Sequence, residues 1–263
     1  MHGLRRFTFT VLGLYPALGA AQVPRPAIPD SARPTVRPIA MPRPAARGLR
    51  WWEAASAAGV TVAVMSQDEQ TTEELLEHPT REASDLASAF RRVGQPEVYA
   101  ALPTAVIAAG LVAGDGRITR AGGRLAASVI ASTVAFETVK LVTGRARPDA
   151  SQSSWEFAPF SGRGSFPSGH STVAFALATS LSHELHHPLA TVALYATATG
   201  TAWSRVYNRR HWASDVVFGA ALGIATAQVV HGRWRIFGLR PPGFLLEPAG
   251  AGLRVTVPMG AGR

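Results

Sequence analysis

At 263 residues, with 47 % hydrophobic and 16 % charged side chains, the chain can form one domain with a substantial core plus tails, and its charged share lies well below the roughly 25 % usual for soluble domains. The formal charge of +9 comes almost wholly from arginine, Lys140 being the only lysine; arginines spread through Pro-rich and loop segments make no focused nucleic-acid patch, and a basic balance suits a protein beside anionic lipid headgroups. With no cysteine in the chain, disulfides, thiolate catalysis and Cys-based metal sites are excluded.

In chain order, Arg5 and Arg6 precede an apolar run from Phe7 to Ala20, and Gly19-Ala20-Ala21 offers small residues for cleavage. Residues 1–21 therefore read as an export signal. An uncleaved membrane anchor is the alternative, which Pro16 and the shortness of the run disfavour; either way the remainder belongs in a bacterial cell envelope. Residues 22–50 hold Pro24, Pro26, Pro29, Pro34, Pro38, Pro42 and Pro44 among arginines, the composition of an extended linker. Trp51-Trp52 opens the folded part, 51–235. Residues 66–97 are polar with a helical pattern, including an amphipathic stretch from Ala83 to Val93.

From Val98 onward the pattern is repeated apolar helices, at about 98–114, 121–143, 169–185, 188–205 and 212–231, joined by short polar turns. With no β-alternation between them, the expected fold is all-α: a bundle of five to six core helices. The tail, 236–263, changes character after Pro241-Pro242-Gly243, and the mild alternation from Phe244 to Val257 fits a short strand pair or an irregular end.

Membrane embedding draws opposing signals. The uncharged run 98–114 reaches only about 25 Å against a hydrocarbon core of about 30 Å, and Arg124, Glu137, Lys140, His183 and Asp215 lie in or near the other runs. Yet Arg117, Arg120, Arg124, Arg233 and Arg235 fall at the ends opposite the polar clusters described next, as the positive-inside rule requires if those clusters face outward. An embedded protein with its polar pole in the periplasm is the favoured expectation over a soluble periplasmic one.

Three clusters carry the chemistry. Lys140 and Arg147, followed by Pro148, combine a point-charge ammonium with a planar guanidinium, complementary ligands for phosphate; alone, they also fit cations at a helix C-terminus. Pro167-Ser168-Gly169-His170 follows the flexible Gly162-Arg163-Gly164-Ser165 and starts a helix, whose free amides favour an anion; alone, it is also an ordinary Ser-capped start. Ser204 and Arg205 precede His211 and Asp215, four apart on one helical face, so that the carboxylate can hold one ring nitrogen and leave the other as a nucleophile; alone, Asp215 can equally pair with Arg209 or Arg210. In an antiparallel bundle with short turns all three clusters fall at one pole.

The full set, KLVTGRARP at 140–148, PSGH at 167–170 and SRVYNRRHWASD at 204–215, resembles the type 2 phosphatidic acid phosphatase and vanadium haloperoxidase superfamily, over roughly residues 90 to 232. The resemblance implies that His211 attacks phosphorus and carries a phosphohistidine, that Asp215 orients it, and that His170 protonates the leaving oxygen and then activates water. It implies that Lys140, Arg147, Ser168, Gly169 and Arg205 bind the phosphoryl oxygens, with no metal or other cofactor. A helix N-terminus disfavours protonated His170 and a bound phosphate favours it, so His170 is expected to be an acid only in the occupied site.

The expected activity is that of an exported, metal-independent phosphatase acting on phosphate esters or diphosphates of lipids, with membrane and phosphorylated lipid as its partners and no nucleic acid. A broad-specificity periplasmic acid phosphatase is the near alternative; a vanadate-dependent haloperoxidase and a non-catalytic envelope protein rank lower. His183, Glu184, His186 and His187 have the spacing of a metal site but lie at the opposite helix end. Trp212 and Tyr207 are expected to form walls. Lipid selectivity is expected to lie near 150–166 and 66–97.

Overall fold

The computed structural model describes residues 6–11, 46–77, 80–235, 245–249 and 252–258. In chain order the elements are β1 (Arg6–Val11), β2 (Arg47–Gly48), α1 (Trp51–Met65), α2 (Asp68–Glu77), α3 (Arg81–Val93), α4 (Pro96–Val112), α5 (Gly116–Thr143), α6 (Gly169–Leu185), α7 (Pro188–Tyr207), α8 (Ala213–Val230), β3 (Trp234–Arg235), β4 (Leu245–Ala249) and β5 (Gly252–Pro258). The all-α expectation holds. The tail forms an antiparallel hairpin, β4 with β5, and β1 pairs antiparallel with β5, which sets part of the expected export signal beside the tail. The rest of the signal and most of the Pro-rich linker lie outside the described residues; the linker's last residues, Arg47 and Gly48, pair in parallel with β3.

One helix boundary differs usefully from the expectation. The basic segment at 117–124 forms the first turns of α5 rather than a loop, because Asp115 caps it: Oδ1 accepts the Arg117 amide at 2.7 Å, which satisfies an otherwise orphaned donor. At the other end Gly144 closes α5 in the left-handed conformation, φ 57°. A Cβ there would lie 1.7 Å from the Ala158 carbonyl oxygen, so only glycine permits this close turn.

The centre of the bundle is α6, whose buried face is built from small residues: Ser171, Thr172, Ala174, Ala176, Ala178, Thr179 and Ser180. Small side chains let backbones approach, and α8 lies against α6 so closely that a Cβ at Gly223 would be 2.1 Å from the Thr172 carbonyl oxygen, and one at Gly219 2.8 Å from that of Ser168. This seam sets the start of α6 beside the start of α8. Around it, α5 and α7 flank α6, α4 packs on α5, α3 on α7 and α1 on α8. A hydrophobic cluster of Tyr99, Leu125, Phe136, Val173, Leu177 and Ala198 fills the space between α4, α5, α6 and α7.

Among the described residues two helices, α5 and α8, are long and apolar enough to cross a membrane by length and composition. On α5 the outer face agrees: Ile130 and Val134 are each more than 60 % exposed, a display of apolar surface that suits lipid better than water.

The α6–α8 seam gives a stability prediction. Gly223→Val should lower the thermal midpoint, with overpacking costing about 1–3 kcal/mol, whereas Gly59→Ala in α1, where nothing lies within 4 Å of a new Cβ, should be neutral or stabilising by up to about 1 kcal/mol. Thermal unfolding of both variants in detergent checks the contrast.

Candidate active site

The topology delivers the three clusters to one pole: α5 ends there, α6 begins there, and the α7–α8 turn passes over it. Two cavities meet at Lys140. The larger, 560 Å³, is lined by Lys140, Arg145, Arg147, Arg163, Gly164 and their neighbours. The smaller, 330 Å³, is largely apolar and runs between α4, α5 and α6, lined by Tyr99, Val129, Phe136, Lys140, Gly169 and His170 among others. The Lys140 ammonium sits over the Phe136 ring at 4.6 Å and near Glu137 at 3.5 Å.

At the start of α6, Ser168 caps the helix, its Oγ accepting from the Ser171 hydroxyl at 3.1 Å and its amide donating to the Asp215 carbonyl at 3.0 Å. The amides of Gly169 and His170, in the first turn, have no intrahelical acceptor. Across from them Arg205 turns toward the site, and its buried Nε has no hydrogen-bond partner among the described residues. A buried guanidinium nitrogen without an acceptor is costly, and the charge of Arg205 acts on both His170 and His211.

His211 is buried, and its Nδ1 lies 2.8 Å from the Ser165 carbonyl oxygen. A carbonyl only accepts, so Nδ1 carries the proton and Nε2 keeps a free lone pair. The Asp215 carboxylate stands farther off, with Oδ2 3.5 Å from Nδ1. The expected direct carboxylate–imidazole hydrogen bond is therefore replaced by a nearer main-chain acceptor with the carboxylate behind it. Nor does Asp215 pair with Arg209 or Arg210: Arg210 binds Asp149, and Arg209 donates to the Pro148 carbonyl. Asp215 accepts instead from Arg145 Nη1 at 2.6 Å, the Ser165 hydroxyl at 2.5 Å and the Trp212 amide at 2.9 Å.

Both imidazoles are held neutral in the empty site. Burial, then the charges of Arg205, His211, Lys140 and Arg147, push His170 down to about 3. Burial likewise lowers His211, against the opposing pull of Asp215 and with help from Arg205 and Arg147.

Sequence reasoning missed four contributors. Arg145 lies inside the first motif, two residues before Arg147, and alternate residues of an extended segment face opposite ways. That spacing was the available signal that one arginine opens to the cavity while the other turns into the fold, and Arg145, though it borders the larger cavity, has no exposed surface at all. Asp68 at the start of α2 reaches Arg145 Nη2 at 2.8 Å, and nothing in the sequence links positions so far apart. Tyr99 donates its hydroxyl to the His170 carbonyl at 3.2 Å, and Ser165 was visible only as part of a flexible turn. Trp212, expected as a wall, is buried, with Nε1 donating to the Ala146 carbonyl; Tyr207 hydrogen-bonds Ser84 on α3. At the far pole His183 meets Gln228 and His187 caps α7, so the histidines there do not converge on a common point.

This arrangement of two histidines, a buried carboxylate and cations around a helix N-terminus matches a known class. Residues 121–236 match the family model of the PAP2 superfamily, the superfamily that the three motifs resemble. Among curated relatives it is 42 % identical over 93 residues to a lipid A 1-phosphatase of Porphyromonas gingivalis, covering 35 % of this chain and 18 % of that one. It is 37 % identical over 134 residues to a lipid A 1-phosphatase of Rhizobium johnstonii, covering 48 % and 54 %. The chain thus spans about half the length of the Rhizobium relative and less than a fifth of the Porphyromonas one. The crystal structure of a transmembrane PAP2-type phosphatidylglycerolphosphate phosphatase from Bacillus subtilis shares the fold, with a TM-score of 0.54 at 23 % identity, covering 69 % of this chain and 91 % of that one.

The electrostatics yield a test. In the empty protein His170 should stay neutral from pH 5 upward, and inorganic phosphate should raise its midpoint, because a bound dianion stabilises the imidazolium. Histidine ¹⁵N NMR with and without phosphate reads this; a His170 midpoint near 6.5 without phosphate would contradict it.

Proposed function

We propose that the protein is a metal-independent lipid phosphatase working through a phosphohistidine. The observation that carries this reading is the pairing, at one pole, of a His211 whose Nε2 lone pair is free with an Arg205 whose buried Nε lacks an acceptor. A phosphoryl group between them answers both. Its oxygens would be held by Lys140, Arg147, Arg205, the Ser168 hydroxyl and the Gly169 and His170 amides, which stabilise the charge shifting through the transition state.

In the first step His211 Nε2 forms a bond to phosphorus as the ester P–O bond breaks, and the leaving oxygen takes a proton from His170. In the second, neutral His170 takes a proton from water, the hydroxide attacks phosphorus and the P–N bond breaks. Inorganic phosphate leaves, His211 is restored, and His170 has regained the proton it gave. Ser165 and Asp215 keep Nδ1 protonated throughout and offset the positive charge that develops on the ring.

The lipid part of the reading rests on the apolar cavity between α4, α5 and α6, which opens beside Lys140 and His170, and on the exposed apolar face of α5. With α5 and α8 crossing the membrane, the arginines at the start of α5 and after α8 sit at the far pole, which favours that pole on the cytoplasmic side and the site in the periplasm. Similarity to lipid A 1-phosphatases makes a glycosyl 1-phosphate the first substrate to try, and the larger cavity on the Arg147 and Arg163 side supports a bulky headgroup.

The test is phosphate release by purified protein in detergent with a chelator, from lipid A, phosphatidic acid, phosphatidylglycerol phosphate, a polyprenyl diphosphate and a soluble aryl phosphate. Preference for a lipid is the expected outcome, with His211→Ala reducing release by about 10⁴-fold or more. Equal turnover of the aryl phosphate would favour a broad-specificity acid phosphatase, and no release from any substrate would sink the reading.

The pH dependence follows in sign from the two imidazoles. His211 loses nucleophilicity only when protonated, and its midpoint is lowered, so the acid limb of kcat/KM should fall below the ordinary imidazole value of about 6.5. His170 is unprotonated in the empty enzyme above about 3, so the proton must arrive with the substrate monoanion, which ionises near pH 6. kcat/KM should therefore decline as pH rises through about 6; a rate that climbs to pH 8 would contradict the assignment.

A further inference from the structure

We propose that Asp68, at the start of α2, is a positioning residue for the nucleophile, acting through Arg145 on Asp215 and so on His211. The inference rests on the phosphatase reading for its chemistry but not for its geometry. Asp68 lies outside the segment matched to the family model, and it has no exposed surface.

The Arg145 guanidinium is a fork between two carboxylates. Nη1 donates to Asp215 Oδ1 at 2.6 Å and to the Ser214 hydroxyl at 2.7 Å, Nη2 donates to Asp68 Oδ2 at 2.8 Å, and Nε donates to the Ser154 carbonyl at 2.8 Å. Asp68 Oδ1 accepts the Ser214 amide at 2.8 Å, and its Oδ2 accepts the Ser214 hydroxyl. Since Ser214 sits in the first turn of α8, Asp68 grips both the cation that holds Asp215 and the backbone from which Asp215 projects. Next to it, Glu69 accepts the Ser154 amide at 2.7 Å, which ties α2 to the residue whose carbonyl accepts Arg145 Nε while contacting neither the guanidinium nor either carboxylate of the fork.

The consequence for His211 is one of charge. Facing the imidazole are Arg145 and Arg147 from the segment after α5, Lys140 from α5, His170 from α6, Arg205 from α7, Asp215 from α8 and, behind Arg145, Asp68 from α2; Glu137 faces Lys140 from the solvent side. Four permanent cations surround a ring that must become more positive as it attacks phosphorus. Two buried carboxylates oppose them. Remove the charge of Asp68 and Arg145 is balanced by Asp215 alone, so less of that carboxylate's field reaches the imidazole. The ring becomes harder to charge and a weaker nucleophile, while the phosphate-binding groups are untouched.

Asp68→Asn preserves shape and hydrogen-bonding capacity on one oxygen, and Glu69→Gln serves as the docking control. In the full chain in detergent, ¹⁵N-histidine NMR follows the His211 imidazole, assigned by its loss in His211→Ala, and kcat and KM are measured against pH on an aryl phosphate. For Asp68→Asn we expect the His211 midpoint and the acid limb of kcat/KM to move down together by about one unit, with kcat falling about tenfold and KM within about twofold. Glu69→Gln should lower the thermal midpoint and leave the acid limb in place. The proposal is overturned if Asp68→Asn leaves both midpoint and limb at their wild-type values, or if Glu69→Gln moves them equally, as a purely structural role would have it. Should wild type release no phosphate while the imidazole shift still appears, the phosphatase reading fails and the positioning role stands.

Discussion

Burying a carboxylate far from water is tolerable only when donors replace its hydration, and Asp215 is the point where this protein meets that constraint. Its donors come from the segment after α5, from the turn before α6 and from the first turn of α8. The same residue's carbonyl accepts the Ser168 amide. The three sequence clusters are thus tied to each other, beneath the site, through one residue. The approach of α8 to α6 at Gly219 and Gly223 permits these distances, and the Gly144 turn aims Arg145 inward and Arg147 toward the cavity. Close packing and the polar network demand each other: a bulkier seam would separate Asp215 from Ser168, and a missing donor would leave a buried charge uncompensated.

Much of this was legible in the sequence. The apolar period gave α6, α7 and α8 to within about two residues at each end, and α6 and α7 begin at recognisable signals, a Ser168 cap and a proline after His187. The residues expected to bind and transfer a phosphoryl group fall at one pole for a topological reason, since short turns between antiparallel helices leave no other place. What was hidden belongs to the third dimension. The acceptor for His211 Nδ1 is a carbonyl, and every residue has one. The partner of Asp215 is Arg145 rather than a neighbour on its own turn, and the partner of Arg145 is Asp68, a polar residue in a stretch that otherwise reads as an ordinary solvated helix. The basic segment after Asp115 looked like a loop because its charges masked a helix start that a single aspartate cap secures.

On the proposed reading, the charge arrangement explains why the site needs a filled and an empty state. Burial first, then the charges of Arg205, Lys140 and Arg147, keep His170 neutral until an anion arrives, so without one there is no ready proton donor beside the nucleophile. A phosphate monoester brings both the countercharge that reverses this and, below about pH 6, the proton itself. The general acid is therefore assembled by the substrate. Water alone, lacking the dianion, leaves the cations uncompensated and His170 unprotonated.

Lys140 stands where the two cavities meet, and its surroundings suit a substrate of two natures. On one side Arg147 and Arg163 line a polar space, with Arg163 held by Glu156 on the rim. On the other, Phe136, Val129 and Val173 line an apolar groove that reaches the start of α6. A free phosphate would need only the ring of cations. On the proposed reading, this groove carries the hydrocarbon of a lipid phosphate to within reach of His170, and the exposed Ile130 and Val134 on the outer face of α5 place that tail's natural solvent against the same helix. The apolar wall also raises the worth of every charge facing it, since Coulomb interactions strengthen as water is excluded. On the proposed reading, the groove for the lipid tail and the field for its phosphate share one helix, α5, which brings Phe136 to the first and Lys140 to both.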